Sequence, residues 1–211
     1  MKAVSVAPPP ASVVAATVAT VGLGVVGWAV TIPRMSRMDM GVASTLGSFP
    51  FFLSVWVPMM AAMMLPGVAP SVLRLAGSGR AALDIPRYIG SYLSVWALFG
   101  VLVFALYRPH GTATAGAITI AAGAYELTPM KRRFRDMCRD RPSSGLSLGL
   151  CCVGSSVGLM LMMVAYGVMS LVWMAGIAGV VLLQKLVPPR TLYDVPVALA
   201  IIGLGIAEFV K

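Results

Sequence analysis

The chain has 211 residues, of which 59% are hydrophobic and 11% charged, with a mean hydropathy of +0.91 and a formal net charge of +9. Soluble domains carry about 25% charged residues, so water is excluded as the main solvent of this chain. At roughly 20 residues per crossing, the length admits six or seven transmembrane helices and no sizeable soluble domain.

The predicted elements follow hydropathy. A tail of residues 1–12, containing Pro8-Pro9-Pro10, precedes a first span from Val13 to Ile32. That run exceeds the 7 to 15 residues of a secretory signal core and lacks a small-residue cleavage site, so an anchor is expected. The second span runs from Phe49 through Pro66 to Leu75, the third from Arg87 to Tyr107, and the fourth from Thr112 to Leu127. The apolar stretch from Leu146 to Leu186 is too long for one crossing of about 30 Å and is split near Tyr166-Gly167. A last span from Leu192 to Val210 gives an all-α, polytopic bundle of seven helices, with six as the alternative if one segment is broken or re-entrant. Residues 13–211 then form a single membrane domain.

Charge sets the orientation. With the N-terminus inside, twelve basic residues lie on the inner side: Lys2, Arg74, Arg80, Arg87, Lys131, Arg132, Arg133, Arg135, Arg139, Arg141, Lys185 and Arg190. Arg34, Arg37, Arg108 and Lys211 lie outside. The positive-inside rule therefore puts the N-terminus in the cytoplasm. The basic balance is read as contact between the inner loops and anionic headgroups, not as nucleic-acid binding. The segment from Lys131 to Arg141 reads as a solvated inner loop, with partner docking as a second use.

The second span carries Trp56-Val57-Pro58-Met59-Met60-Ala61-Ala62-Met63-Met64-Leu65-Pro66. Met59 and Met63, and Met60 and Met64, are four apart, which stacks their thioethers along a helix. Thioethers suit Cu(I) and serve hard cations poorly. The competing reading is packing, because methionine fills irregular gaps between helices. Counted from the outer surface at about 1.5 Å per residue, Met63 and Met64 lie roughly 20 Å deep. Cys151 and Cys152, on the span that enters from the inner side, lie about 10 Å in, at the same level. The candidate metal ligands are thus Met59, Met60, Met63, Met64, Cys151 and Cys152. Met160, Met162, Met163, Met169, Met174, Met35, Met38 and Met40 extend the pattern.

Other chemistry finds little support. The single histidine, His110, reads as a loop residue, and no histidine pair has zinc-ligand spacing. Glu126 sits at a span end, either ion-paired with Lys131 or Arg132 or acting in proton or ion movement. No phosphate loop, dinucleotide fingerprint or nucleophile elbow occurs, so no enzyme is expected. Three cysteines, two of them adjacent, predict no disulfide. Gly22, Gly24, Gly27, Gly145, Gly149, Gly154, Gly158, Gly176, Gly179, Gly203 and Gly205 are expected to allow close helix contacts.

Several blocks together carry a family resemblance. They are Met38-Asp39-Met40-Gly41, the Trp56 to Pro66 block, Gly123-Ala124-Tyr125-Glu126-Leu127-Thr128-Pro129-Met130-Lys131, Cys138, Gly149-Leu150-Cys151-Cys152-Val153-Gly154 and Gly167-Val168-Met169-Ser170-Leu171-Val172-Trp173-Met174. In this order, across Met38 to Pro189, the chain resembles an uncharacterised bacterial family of predicted metal-binding integral membrane proteins. The resemblance implies a bacterial inner-membrane location and metal binding. It also implies cysteines where this chain departs: Phe134 stands at the first expected cysteine position, and Cys152-Val153-Gly154-Ser155-Ser156 stands where a cysteine cluster would continue. The two leading function classes are a membrane protein that binds or passes Cu(I), and a non-catalytic membrane subunit or scaffold with a partner or a second copy. An ion-coupled carrier using Glu126 is the third, without a paired inverted repeat to support it.

Overall fold

The computed structural model describes residues 11–35, 46–76, 81–140, 143–167, 170–186 and 191–210, and within them it is all helical. The helices are α1 (Ala11–Met35), α2 (Phe49–Met64), a 3₁₀ turn (Leu65–Val68), α3 (Ala69–Ala76), α4 (Ala81–Leu106), α5 (Thr112–Glu126), α6 (Pro129–Arg139), α7 (Gly145–Tyr166), α8 (Leu171–Leu186) and α9 (Thr191–Phe209). The expected Met38-Asp39-Met40-Gly41 block, Met169, most of the N-terminal tail, Arg37, Arg80, Arg141, Arg190 and Lys211 lie outside the described residues.

Among the described residues, four segments are long and apolar enough to cross a membrane: Val18–Met35, Phe49–Ala76, Leu83–Leu106 and Gly145–Tyr166. Leu171–Lys185 is apolar but shorter. The expected division near Tyr166-Gly167 holds, because α7 stops at Gly167, whose φ of 110° is a conformation that side chains with a Cβ rarely adopt. The second segment changes geometry where prolines demand it. Pro58 lies inside α2, and Pro66 falls in the 3₁₀ turn that separates α2 from α3.

Small residues set the helix spacing. A Cβ on Gly27 of α1 would lie 2.8 Å from the Pro58 carbonyl oxygen, so α1 rests directly on the proline-containing part of α2. Gly145 passes under the Tyr88 carbonyl and Gly149 under Val95, which seats the start of α7 on α4. The α5/α9 pair is the most extensive helix contact among the described residues, with Gly116 and Gly205 in each other's backbone. Gly22, Gly176, Gly179 and Gly203 correct the expectation: a Cβ at any of them meets nothing within 4 Å, so they make no close helix contact among the described residues.

Around α2 the core is aromatic and thioether-rich. Trp56 Nε1 donates to the Trp96 carbonyl oxygen at 2.9 Å, and Phe52 stacks on Trp56 with ring centroids 5.3 Å apart. The hydrogen bond, together with the rings of Phe49 and Phe52 against Phe104, holds α2 against α4. α2 packs on α1, α4 and α8, while α7 packs on α4, α5, α6 and α8, so α4 and α8 are the helices common to both.

Candidate functional site

Met59, Met60 and Met64 are 0% exposed and Met63 3%. Each thioether is therefore withdrawn from solvent. Met160, Met162 and Met163 on α7 and Met174 on α8 are buried in the same core, as is Met35 at the end of α1.

The cysteines depart from expectation. Cys138 on α6 and Cys151 on α7 form a disulfide with Cα atoms 5.6 Å apart, which overturns the reading that adjacent cysteines in an apolar run leave no pair. Adjacent residues on a helix point about 100° apart, so Cys151 turns toward α6 while Cys152 turns elsewhere. Cys152 is the free cysteine, buried, with its Sγ 3.2 Å from the Tyr92 hydroxyl.

α6 is tied to α5, α8 and α9 by polar side chains, and here a second expectation is corrected. The segment read as a solvated basic loop is a helix, begun by Thr128, whose hydroxyl accepts the Lys131 backbone N–H at 3.3 Å, with Pro129 following. Lys131 and Arg135, four apart, are buried at 1% and 7% exposure. Lys131 pairs with Glu126 and also donates to Gln184 Oε1 at 3.0 Å; Gln184 Nε2 donates to Glu126 at 2.8 Å. Of the two readings of Glu126, the ion pair is realised. Arg135 pairs with Asp194 of α9 and donates to the Gln184 carbonyl oxygen at 2.8 Å. Burial holds the Lys131 ammonium below the usual lysine value, desolvation outweighing the attraction of Glu126.

The face of α6 toward α7 carries Phe134 and Cys138, again four apart. Phe134 lays its ring over Gly154, so closely that a Cβ on Gly154 would fall 2.6 Å from the ring. The positions at which the resemblance implies cysteines on α6 therefore adjoin the Cys151 to Ser155 stretch of α7. Phe134 fills one of them with an aromatic ring.

Beside this contact lies a cavity of about 320 Å³. Its wall includes Gly67 and Val68 just past the methionine row, Cys138 from α6 and Cys152 and Ser155 from α7. Lys185 of α8 also lines it and points Nζ at Met64, 3.5 Å from the carbonyl oxygen and 3.7 Å from Sδ. The Met64 end of the methionine row, through Lys185, and the free cysteine thus adjoin one cavity. Sequence reasoning missed Cys138, Lys185, Arg74 and Gln184 here. Cys138 carried a signal, its place four residues after Phe134; the others did not, because their meeting depends on how α3, α6 and α8 pack.

His110 is tied to backbone, with its ring nitrogens 2.9 Å from the Arg108 carbonyl oxygen and 3.1 Å from that of Ala165. Among the described residues no group of three histidine, cysteine or carboxylate side chains is placed to hold a metal ion. The soft donors present are the thioethers and the Cys152 thiol, a donor set whose chemistry fits Cu(I).

A family model described as PpoB2, copper chaperone, matches residues 53–207. The chain belongs to this family. The matched stretch of the PpoB2 family takes in the methionine row, all three cysteines and the ion pairs of α6. No curated protein and no solved structure matches the chain.

Proposed function

We propose that this chain is a bacterial inner-membrane protein that binds Cu(I) within its helical bundle and passes it on. Met59, Met60, Met63 and Met64 supply thioethers, and Cys151 and Cys152 supply thiolates, Cys151 after reduction of its bond to Cys138. Copper is the cargo, and the chain does no covalent chemistry of its own. In this reading seven helices cross the membrane with the N-terminus in the cytoplasm, the inner basic residues meet anionic headgroups, and the partner is another membrane protein or a second copy rather than a nucleic acid. The observation that carries it is four thioethers of one helix, buried in a bundle of the copper-chaperone family, ending beside a cavity walled by cysteines. Soft donors withdrawn from water favour Cu(I) over the hard cations that outnumber it in a cell.

The test is copper content of detergent-purified, reduced protein after Cu(I) loading, beside the variant with all four methionines changed to leucine. Near-stoichiometric copper in the wild type and its loss in a folded variant is the expected result. A second reading, a non-catalytic membrane subunit or scaffold, has its own support in the complete burial of these methionines among aromatic rings, which packing alone also produces. Equal copper in both proteins, or none in either, would favour it.

A further inference from the structure

The cavity beside Cys152 joins two features that oppose each other for a bare metal ion. Its Cys152 thiol is a soft donor, yet among the described residues its lining carries four cations, Arg74, Arg135, Arg139 and Lys185, and no carboxylate. Only Arg135 has a carboxylate shown opposite it, that of Asp194. A lone Cu(I) ion approaching this wall is repelled, and a low-dielectric surround strengthens the repulsion.

We propose that the cavity takes copper as an anionic complex, Cu(I) already held by two small thiolates that carry carboxylates of their own. The proposal rests on the copper-binding reading and names the form in which the cargo arrives. Two thiolates on one Cu(I) leave a net negative charge, and the carboxylates add to it. Arg74 and Arg139, both exposed, attract the complex, and Ser71 and Gln184 offer hydrogen bonds to its carboxylates. The volume, about 320 Å³, falls at the small end of ligand sites, which run from roughly 300 to 1,000 Å³.

Exchange then balances without redox change at the metal. The Cys152 sulfur forms a bond to copper, one Cu–thiolate bond of the carrier breaks, the Cys152 proton goes to the departing thiolate, and a neutral thiol group leaves with copper still Cu(I). A second protein thiolate requires the Cys138–Cys151 bond to open. The same class of thiol does this: one thiolate attacks Cys138 Sγ and releases Cys151, a second attacks the mixed disulfide, and two carrier thiols leave as one disulfide while both cysteines are reduced. Lys185, between the cavity and Met64, marks the junction with the methionine row.

The experiment compares two copper donors on the reduced, detergent-purified full chain. The anionic bis(glutathione)–Cu(I) complex and the cationic tetrakis(acetonitrile)–Cu(I) complex are mixed with wild type and with an Arg74→Glu/Arg139→Glu variant, and loading rates are followed at low and high salt. Because charge reversal can disturb folding, the milder Arg74→Gln/Arg139→Gln pair runs beside it. A copper-free arm measures binding of S-methylglutathione, which keeps the carboxylates and lacks the thiol, by calorimetry. The expected result is loading from the anionic donor slowed roughly tenfold or more by salt and by the variants, with loading from the cationic donor not slowed, and S-methylglutathione binding weakened in both variants. Equal relative rates from the two donors in all proteins would overturn the proposal. Failure of both donors to load the wild type would instead overturn the copper reading, and the proposal with it.

Discussion

Two buried regions of this bundle sit close together and are built on opposite chemistry. Around Met59 to Met64, α2 hides polarizable, uncharged side chains that ask nothing specific of their neighbours. Around α6, Glu126, Lys131, Arg135 and Asp194 hide charges that must be matched partner by partner, with Gln184 bonded to both pairs. In the first region identity can change with little structural cost, because volume is what packing reads. In the second, each group is held in place by the desolvation penalty of leaving its partner alone. In the proposed function, ligation belongs to the tolerant region and architectural precision to the intolerant one.

That contrast can be broken at its strongest point first. Asp194→Ala strands the buried Arg135 guanidinium and is expected to cost about 3–5 kcal/mol, seen as a large fall in the thermal midpoint of the detergent-solubilised protein, with copper content per folded molecule unchanged. Next, Lys131→Met and Glu126→Leu are expected to destabilise singly, and their combination to cost less than the sum, with a coupling of about 0.5–3 kcal/mol in a double-mutant cycle. A coupling near zero would mean that the pair is not the unit the geometry describes.

In the soft region the signs reverse. Each of Met59→Leu, Met60→Leu, Met63→Leu and Met64→Leu conserves volume and is expected to cost under about 1.5 kcal/mol in unfolding measurements, while removing copper. Phe134→Cys, which returns a thiol to the face of α6 beside Cys151, is expected to improve copper retention against a competing chelator. The smallest effect is at the start of the helix that carries Lys131 and Arg135: Thr128→Ala removes the cap on Lys131 and should cost about 1 kcal/mol, read by thermal unfolding.

The soft region was visible in the sequence because one helix carries it whole. Met59, Met60, Met63 and Met64 declare themselves by spacing, and Pro58 and Pro66 mark where the helix changes course. The ionic region was half visible: pairing of Glu126 with Lys131 was one of two readings of the sequence, whereas Arg135 and Asp194 stand 59 positions apart and each reads alone as an interfacial charge. Lys131 and Arg135 looked like part of a solvated basic run; only the packing of α8 and α9 against α6 turns them inward. The Cys138–Cys151 pair was hidden for a related reason, since the turn between α6 and α7 brings back to one another residues that a linear reading of spans keeps in a loop and a membrane. Boundaries of the long apolar stretch were legible because Gly167 interrupts it.

The most direct test of thioether ligation is X-ray absorption of the Cu(I)-loaded protein grown with selenomethionine. Selenium beside copper reports methionine ligation without reference to stability. The account predicts a Cu–Se scattering shell that disappears when Met59, Met60, Met63 and Met64 are replaced by leucine. A copper shell of sulfur, nitrogen or oxygen without selenium would contradict it.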